Sequence, residues 1–489
     1  MSIPKIIHQL WIGTKTPPTK FMDTWKNKHE KEGFEYIRWT EEEMEKRGFI
    51  SKLGHKINDM SEINGKADIL RWELLYEYGG VFVDADAYCI EPVTYLVDKY
   101  KAFVGYENEQ ARGAGWCPSG QYNDVLAQTH PLIATGTMAF PPKHALPRLA
   151  IEWIKNNDIS VERTGKRAWR TVGPGLLTRL YWQQKWRDIT VLPSYLFLPI
   201  HATGLTYIGH EKVYANQEWG STKDSYSNMN HIGLPDIMKK PTESVSILMP
   251  CYNINCDFFS KTLDSIKAQN HRVFINLICI NDGSNPMCTN LLKKMLEEFQ
   301  INVRWIKVHY FENEKNIGIG PTLHKGVLLV KDEIVFRMDT DDIMTQNRLH
   351  LQHNFMKENS GCVLLGGQVS FFKGNSLTPI SRPTSHTTIT LEEYKINKNH
   401  WIMNHPTFCF RKSKILEVGN YNKNIRDIYE DFELELRVLK KYGVIHNLPQ
   451  VILYYRDSPN QITKGLSNNP HYWRAKRNEL INSIINVSS

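Results

Sequence analysis

Apolar runs of strand length alternate with helix-length segments through both halves of this chain, and few folds accommodate that alternation. It predicts an α/β architecture with mostly parallel central sheets. One seam interrupts it. From Gly233 to Ser244 the chain carries two prolines, two lysines and no periodicity, and Val245-Ser-Ile-Leu-Met then opens a fresh buried strand. The boundary falls near residue 240 and gives two domains, 1–235 and 244–489, each of a size normal for one α/β domain. No period of solenoid length recurs, and the residues from His471 onward read as a polar terminal helix.

With 41% hydrophobic and 23% charged residues, disorder, collagen-like and coiled-coil readings fall away. No apolar run reaches the ~18 residues that a membrane-spanning helix needs, and Met1 to Lys15 lacks a charged leader followed by a continuous apolar stretch. The expectation is a chain with neither a transmembrane segment nor a secretion signal. Sixty Lys and Arg against fifty-two Asp and Glu give +8, which suits anionic ligands or peripheral contact with an anionic membrane surface. Nucleic acid is not expected, because basic and acidic residues intermingle, as in Lys28-His29-Glu30-Lys31-Glu32, instead of forming a basic stripe. Eight cysteines without a Cys-x-x-Cys pair read as reduced thiols in a cytoplasmic protein; Cys279 and Cys409, inside apolar runs, pack as small hydrophobes.

Ala67, Leu70, Leu74 and Tyr78 recur at the spacing of one helical stripe, and Gly79-Gly80 ends it. Val81-Phe-Val begins a buried strand with Asp84 and Asp86 at its exit. Positions i and i+2 of an extended chain point to one side, so both carboxylates are expected to face one point. Two ionised carboxylates held together repel unless a cation lies between them, and hard oxygen ligands select Mn²⁺ or Mg²⁺. A lone Asp-X-Asp is more often a solvated turn; its place at the strand exit of an α/β unit, where such folds bind ligands, favours the metal.

The second half repeats the pattern. Val245 to Met249 breaks at Pro250 into a loop holding Tyr252, Leu277-Ile-Cys-Ile leads to Asn281 and Asp282, and Ile334-Val-Phe-Arg-Met leads to Asp339-Thr-Asp341, with Asp342 as a further carboxylate. Ile428-Tyr then starts a helix with Glu430 and Asp431 in its first turn, where acids also compensate the helix dipole.

Ile3-Pro-Lys-Ile-Ile-His-Gln-Leu-Trp-Ile-Gly, Ala67-Asp-Ile-Leu-Arg, Gly79-Gly-Val-Phe-Val-Asp-Ala-Asp and Thr171-Val-Gly-Pro-Gly-Leu-Leu-Thr resemble, in order, the family 32 sugar transferases, the Asp-X-Asp sugar-binding-region group, over about residues 1 to 220. The resemblance implies that Trp11 stacks on the base of a nucleotide-sugar, that Asp68 and Arg71 hold its sugar or ribose, and that Asp84 and Asp86 meet the metal and diphosphate. Asp68 and Arg71 stand three apart on one helix face, and an Arg fork suits a hydroxyl or phosphate oxygen. One departure stands out: where the family closes with a His-rich segment ending in Ser-Trp, this chain has Tyr214-Ala-Asn-Gln-Glu-Trp-Gly-Ser-Thr-Lys, with Lys223 at the terminal Trp and Glu218, Trp219 and Ser221 as substitutes.

The blocks of the second half, together with Asn316-Ile-Gly, Asn404-His-Pro-Thr-Phe-Cys-Phe-Arg-Lys-Ser and Gly419-Asn-Tyr, resemble the family 2 glycosyltransferases over residues 244 to about 465. That likeness implies two tandem GT-A, Rossmann-like domains. In the second, Tyr252 and Asp282 contact the uracil or other base, Asp339 and Asp341 the diphosphate-bound metal, and Asp431, with Glu430 beside it, the acceptor hydroxyl. Asn281 stands where an aspartate is usual. The expected activity is a bifunctional transfer from UDP- or GDP-linked sugars to a glycan or glycoconjugate, retaining in the first domain and inverting in the second. Three rivals stay open: one live domain beside a relic, a non-catalytic glycan-binding scaffold, and a metal-dependent phosphoesterase or nuclease.

Overall fold

The computed structural model describes residues 2–109, 130–223, 225–231, 233, 239–374, 377–380, 383–398, 402–457 and 470–486. Residues 234–238 of the predicted seam, and Cys117, lie outside the described residues. The chain divides into two compact units: Met1–Tyr207 with Val213–Lys239, and Ile208–Lys212 with Lys240–Ser489.

The first unit is built on β1 (Ile6–Leu10), β2 (Glu35–Trp39), β3 (Gly80–Val83), β4 (Ala87–Cys89), β5 (Ala102–Tyr106), β6 (Ile133–Phe140), β7 (Ile189–Leu192) and β8 (Ala215–Gln217). Six of these form a sheet in the order β2-β1-β3-β6-β5-β7. β2, β1 and β3 run parallel, β6 is antiparallel to β3 and to β5, and β7 is parallel to β5. Alternation along β3 sends Val81 and Val83 into a core with Ile7, Trp25 and Phe103, and Phe82 into the opposite core with Leu74, Met138 and Leu176. β4 and β8 pair separately as an antiparallel ribbon.

The helix Ile63–Tyr78 departs from the expected single apolar stripe: every residue from Asp68 to Leu75 is buried. Its polar positions are enclosed because each has a partner. Trp72 Nε1 donates to Val172 O, Glu73 accepts from the Lys52 N–H, and Arg71 reaches carboxylates described below. The stop at Gly79-Gly80 is steric as well as conformational. Both have positive φ, and a Cβ on Gly80 would lie 2.7 Å from Ile6 O of the adjoining strand.

The second unit contains β9 (Ser244–Cys251), β10 (Phe274–Asn281), β11 (Ile306–Glu312), β12 (Ile334–Arg337), β13 (Ile343–Met344), β14 (Leu364–Phe372), β15 (Ile389–Thr390), β16 (Cys409–Arg411) and β17 (Val444–Arg456). The order is β11-β10-β9-β12-β16-β14-β17-β13, with β15 on β17. The first four are all parallel, β16 runs against both β12 and β14, and β17 is parallel to β14. Order reverses at β9, so the carboxyl ends of β9, β10 and β12 share one edge beside a topological switch point, where open α/β sheets bind ligands. Both sheets are therefore α/β with a parallel majority. Among the described residues no helix is long and apolar enough to cross a membrane, and the seven described cysteines are free thiols.

Candidate active sites

In the first unit the strand stops at Val83, and Asp84 to Asp86 occupy a turn closed by the Ala87 N–H on Asp84 O at 3.1 Å. The extended-chain argument for a shared direction therefore does not apply. Tertiary contacts orient the carboxylates instead. Arg71 donates to Asp84 Oδ1 and to Thr135 O at 2.6 Å, forms an ion pair with Asp68 Oδ1 at 3.1 Å, and its guanidinium lies 4.6 Å from the Phe82 ring centroid. The β4–β8 ribbon then returns the 215–220 segment to the same turn. Gln217 Nε2 donates to Asp84 Oδ2 at 3.0 Å, Gly220 N–H to Asp86 Oδ2 at 2.7 Å, and Glu218 N–H to Asp86 O at 3.0 Å. Lys223 ends the short helix Gly220–Lys223 just beyond.

Burial raises the Asp68 carboxyl to about 6. Burial, then repulsion from Asp84, raises Asp86 to about 7. A cation in this turn would relieve that repulsion, yet the pair gathers no third His, Cys or carboxylate ligand within metal-holding distance among the described residues. Trp11 is half-buried, with Nε1 donating to Lys15 O at 2.7 Å and its ring edge-on to Tyr226 at 5.2 Å. Burial, then Asp86 and Asp84, raises the Tyr226 hydroxyl. Tyr226, which no motif marked, therefore touches the Trp11 ring and feels the charges of Asp86 and Asp84.

In the second unit Asp282 is buried at the end of β10 and holds the neighbouring loop to the sheet. Its Oδ1 accepts from Asn313 Nδ2 and Ile317 N–H, and its Oδ2 from Gly318 N–H, each at 2.9 Å. Asn281 beside it donates to Thr289 Oγ1 and Tyr310 Oη and accepts from Ser284 N–H, a mixed role that a carboxylate cannot fill. Tyr252, by contrast, is 52% exposed on the loop after β9.

Past β12, Asp339, Asp341 and Asp342 each offer an oxygen within 4.8 Å of the others. Arg337 pairs with Asp339, and Asp342 accepts the Arg456 N–H on Oδ1 at 2.9 Å while its buried Oδ2 has no protein partner. Burial raises both Asp341, to about 6, and Asp342; the neighbouring carboxylates raise them further. An orphaned buried oxygen in an all-carboxylate cluster fits a hard divalent cation, Mg²⁺ or Mn²⁺. The guanidinium of Arg456 backs this turn, donating through Nε to Asp341 O at 2.7 Å, with its Cζ 3.9 Å from the Phe258 ring centroid and 4.4 Å from that of Phe372.

The helix Glu430–Tyr442 brings Glu430 and Asp431 to the same edge. Glu430 is enclosed, and burial with the Asp431 charge pushes it up to about 8. Burial also raises Asp431, but its side chain keeps 20% exposure. The carboxylates feel one another across the edge: Asp339 and Arg337 both act on Asp431 and on Glu430. Tyr429, left-handed at φ +71°, precedes the helix and donates through its hydroxyl to Trp473 O at 3.1 Å in the terminal helix Pro470–Ile484. His405 reaches the pair as well, and sequence reasoning gave it no role.

Residues 246–419 match the family model "Glycosyl transferase family 2", and residues 19–103 match "Glycosyltransferase sugar-binding region containing DXD motif". The chain is 30% identical over 224 residues to UDP-Gal:alpha-D-GlcNAc-diphosphoundecaprenol beta-1,3-galactosyltransferase of Escherichia coli, covering 45% of this chain and 77% of that one. It is 32% identical over 139 residues to inositol phosphoceramide mannosyltransferase 3 of Schizosaccharomyces pombe, covering 27% of this chain and 35% of that one. Among solved structures, S. aureus TarS 1-349 is similar at a TM-score of 0.35 and 16% identity, over 44% of this chain and 60% of that one. The chain thus belongs to the nucleotide-sugar glycosyltransferases, with a family 2 region in its second half and a DXD-type sugar-binding region in its first.

Proposed function

We propose that the chain is a bifunctional glycosyltransferase in which residues 1–235 and 244–489 are separate transferase domains. The first would transfer with retention and the second with inversion. The reading leans on one observation: in the second unit an all-carboxylate cluster and the more exposed carboxylate of Asp431 occupy one sheet edge within each other's field.

Asp339, Asp341 and Asp342 would hold Mn²⁺ or Mg²⁺, and such an ion neutralises charge developing on a departing nucleoside diphosphate. The remaining work falls to the chain. Tyr252 offers an exposed ring to the base, and Asp282, the second residue read as meeting the base, fixes the loop 313–318. Asp431 takes the proton from the acceptor hydroxyl as that oxygen attacks the anomeric carbon, and Glu430 keeps the pair's charge low. In the first unit Asp84 and Asp86 would face the donor's diphosphate and its metal, with Glu218 drawn against Asp86, Trp11 beside the base, and Asp68 and Arg71 toward the sugar.

A UDP-hexose donor and a lipid-diphosphate-linked sugar acceptor in a cytoplasmic surface-polysaccharide pathway are the first chemistry to try, since the E. coli relative's name specifies such a pair. A second reading, one live domain, is favoured by the absence of a third ligand at Asp84 and Asp86 among the described residues. Diphosphate release from a panel of UDP- and GDP-sugars, with and without Mn²⁺ and with GlcNAc-diphospho-lipid as acceptor, tests the proposal. Asp84→Asn with Asp86→Asn should remove one transfer and Asp431→Asn the other. Loss of both from either change in a folded protein defeats the two-site reading.

A further inference from the structure

Two motif residues have no part in the reading above: His405, from Asn404-His-Pro, and Tyr421, from Gly419-Asn-Tyr. Both are buried at the edge that carries Asp431. His405 opens the short 3-10 turn His405–Thr407, its ring edge-on to Phe408 at 4.8 Å. Its two nitrogens face different chemistry. Nε2 lies 3.0 Å from Tyr421 Oη, while Nδ1 lies 3.4 Å from Glu430 Oε1 and 3.8 Å from Asp431 Oδ2.

A neutral imidazole carries one N–H; Glu430, pushed up to about 8, holds a proton for the pair, and the ionised carboxylate of Asp431, which must accept a proton as the base, only accepts. The ring proton therefore belongs on Nδ1, toward the acids, and Nε2 accepts the hydroxyl proton of Tyr421. Burial, reinforced by Arg337, holds His405 well below the usual histidine range, and burial raises Tyr421, so the first stays neutral and the second stays protonated. The charges facing this group are Arg337 from β12 and Glu430, Asp431 and Glu435 from their helix; Asp339 acts on Glu430 and Asp431 from farther out, and Arg477 acts on Glu435.

We propose that His405 is a positioning residue for the acceptor base: its Nδ1–H, fixed in that tautomer by Tyr421, steers the Glu430–Asp431 pair so that Asp431 turns an oxygen to the acceptor hydroxyl. The 3.4 Å contact is long for a hydrogen bond, as such contacts often are before substrate is seated. The arrangement follows the general rule that a buried histidine's second nitrogen sets what its first presents. It rests on reading Asp431 as the base.

The test uses the full chain and the nucleotide-sugar panel named above. His405→Phe should cut kcat at least tenfold, while KM for the nucleotide-sugar and Mn²⁺ affinity change less than twofold. Its acid limb of kcat/KM should move to higher pH, because the carboxylate has lost a donor that favours its charged form. His405→Asn, which offers an amide N–H in the same direction, should restore most of the rate, and Tyr421→Phe should fall between. ¹⁵N NMR of the histidine rings should show His405 neutral with its proton on Nδ1 at pH 7. A proton on Nε2, a cationic ring, or unchanged kcat and acid limb in His405→Phe overturns the inference. If His405→Phe fails to fold, His405→Asn and the ring spectra decide. Full turnover in Asp431→Asn, or no turnover of the panel, would instead sink the reading of the base, and the tautomer is still decided by NMR.

Discussion

Gly173 abuts the carboxylate of Asp68 so closely that a Cβ on it would lie 2.4 Å from Asp68 Oδ2. The Thr171-Val-Gly-Pro-Gly block thus acts across space on the Ala67-Asp-Ile-Leu-Arg block, leaving room for the ion pair through which Arg71 reaches Asp84. Gly173→Ala should displace Asp68, loosen Arg71 and lower first-unit turnover at least tenfold. It should also cost about 1–3 kcal/mol of stability, the usual penalty of overpacking. Gly54→Ala, with nothing within 4 Å of the added methyl, should stay within about 0.5 kcal/mol of the parent in a melting comparison.

Burial, and then the charges of Asp341 and Asp339, oppose ionisation of Asp342. Asp342→Asn keeps an acceptor for the Arg456 N–H and removes that repulsion, so the ion-free protein should melt higher than the parent. The same change should weaken Mn²⁺ binding at least tenfold and abolish the rise in Tm on adding Mn²⁺. Calorimetric titration and melting with and without the ion read both signs; a lower ion-free Tm with retained Mn²⁺ affinity would refute the assignment.

Asp431 and Glu430 are adjacent but differ in access, 20% against 7% side-chain exposure. Asp431→Asn should reduce second-unit transfer by roughly 10²–10⁴, the contribution of a general base. Glu430→Gln should cost less, because the enclosed side chain acts on its neighbour and does not reach the acceptor. Binding of the nucleotide-sugar should survive in both, so a titration of UDP-sugar separates a chemical defect from a binding one.

Trp39 Nε1 donates to His8 Nδ1 at 2.9 Å, and His8 Nε2 donates to Gly79 O at 2.7 Å, so the buried ring is held as one neutral tautomer. Burial lowers His8 from 6.5 to about 4. Between those values the unfolded chain binds the proton and the folded chain does not, so stability is full above about pH 6.5 and falls as pH drops toward 4. The loss is on the order of 3 kcal/mol from His8 alone, and His29, also lowered to about 4 by burial, acts in the same direction. Melting at pH 7.5 and pH 5 checks it; a Tm indifferent to that change would contradict the buried neutral ring.

Much of the candidate chemistry was legible because strand exits are local. A short apolar run followed by acids marked Asp84, Asp86, Asp282, Asp339 and Asp341, and acids opening a helix marked Glu430 and Asp431. The helix Ile63–Tyr78 was misjudged as one-sided because its enclosed polar residues are paired with partners far along the chain, such as Lys52 and Thr135. Gln217, Tyr226 and His405 carried no local signal that distinguishes a site residue from a packed one. Each acquires its place through a contact with residues distant in sequence.

The order of strands, helices and acids along the chain determined an α/β protein with carboxylates at strand ends, since periodicity and side-chain chemistry are properties of neighbours. Tertiary structure alone decided how those carboxylates are held. Asp84 and Asp86 sit in a turn, aimed by Arg71, Gln217 and the Gly220 N–H, and Asp342 completes the second cluster with an oxygen no protein donor meets. The reason is physical: the energy of a buried charge depends on which donors, dipoles and charges surround it in space, and those are brought together only when the sheet assembles.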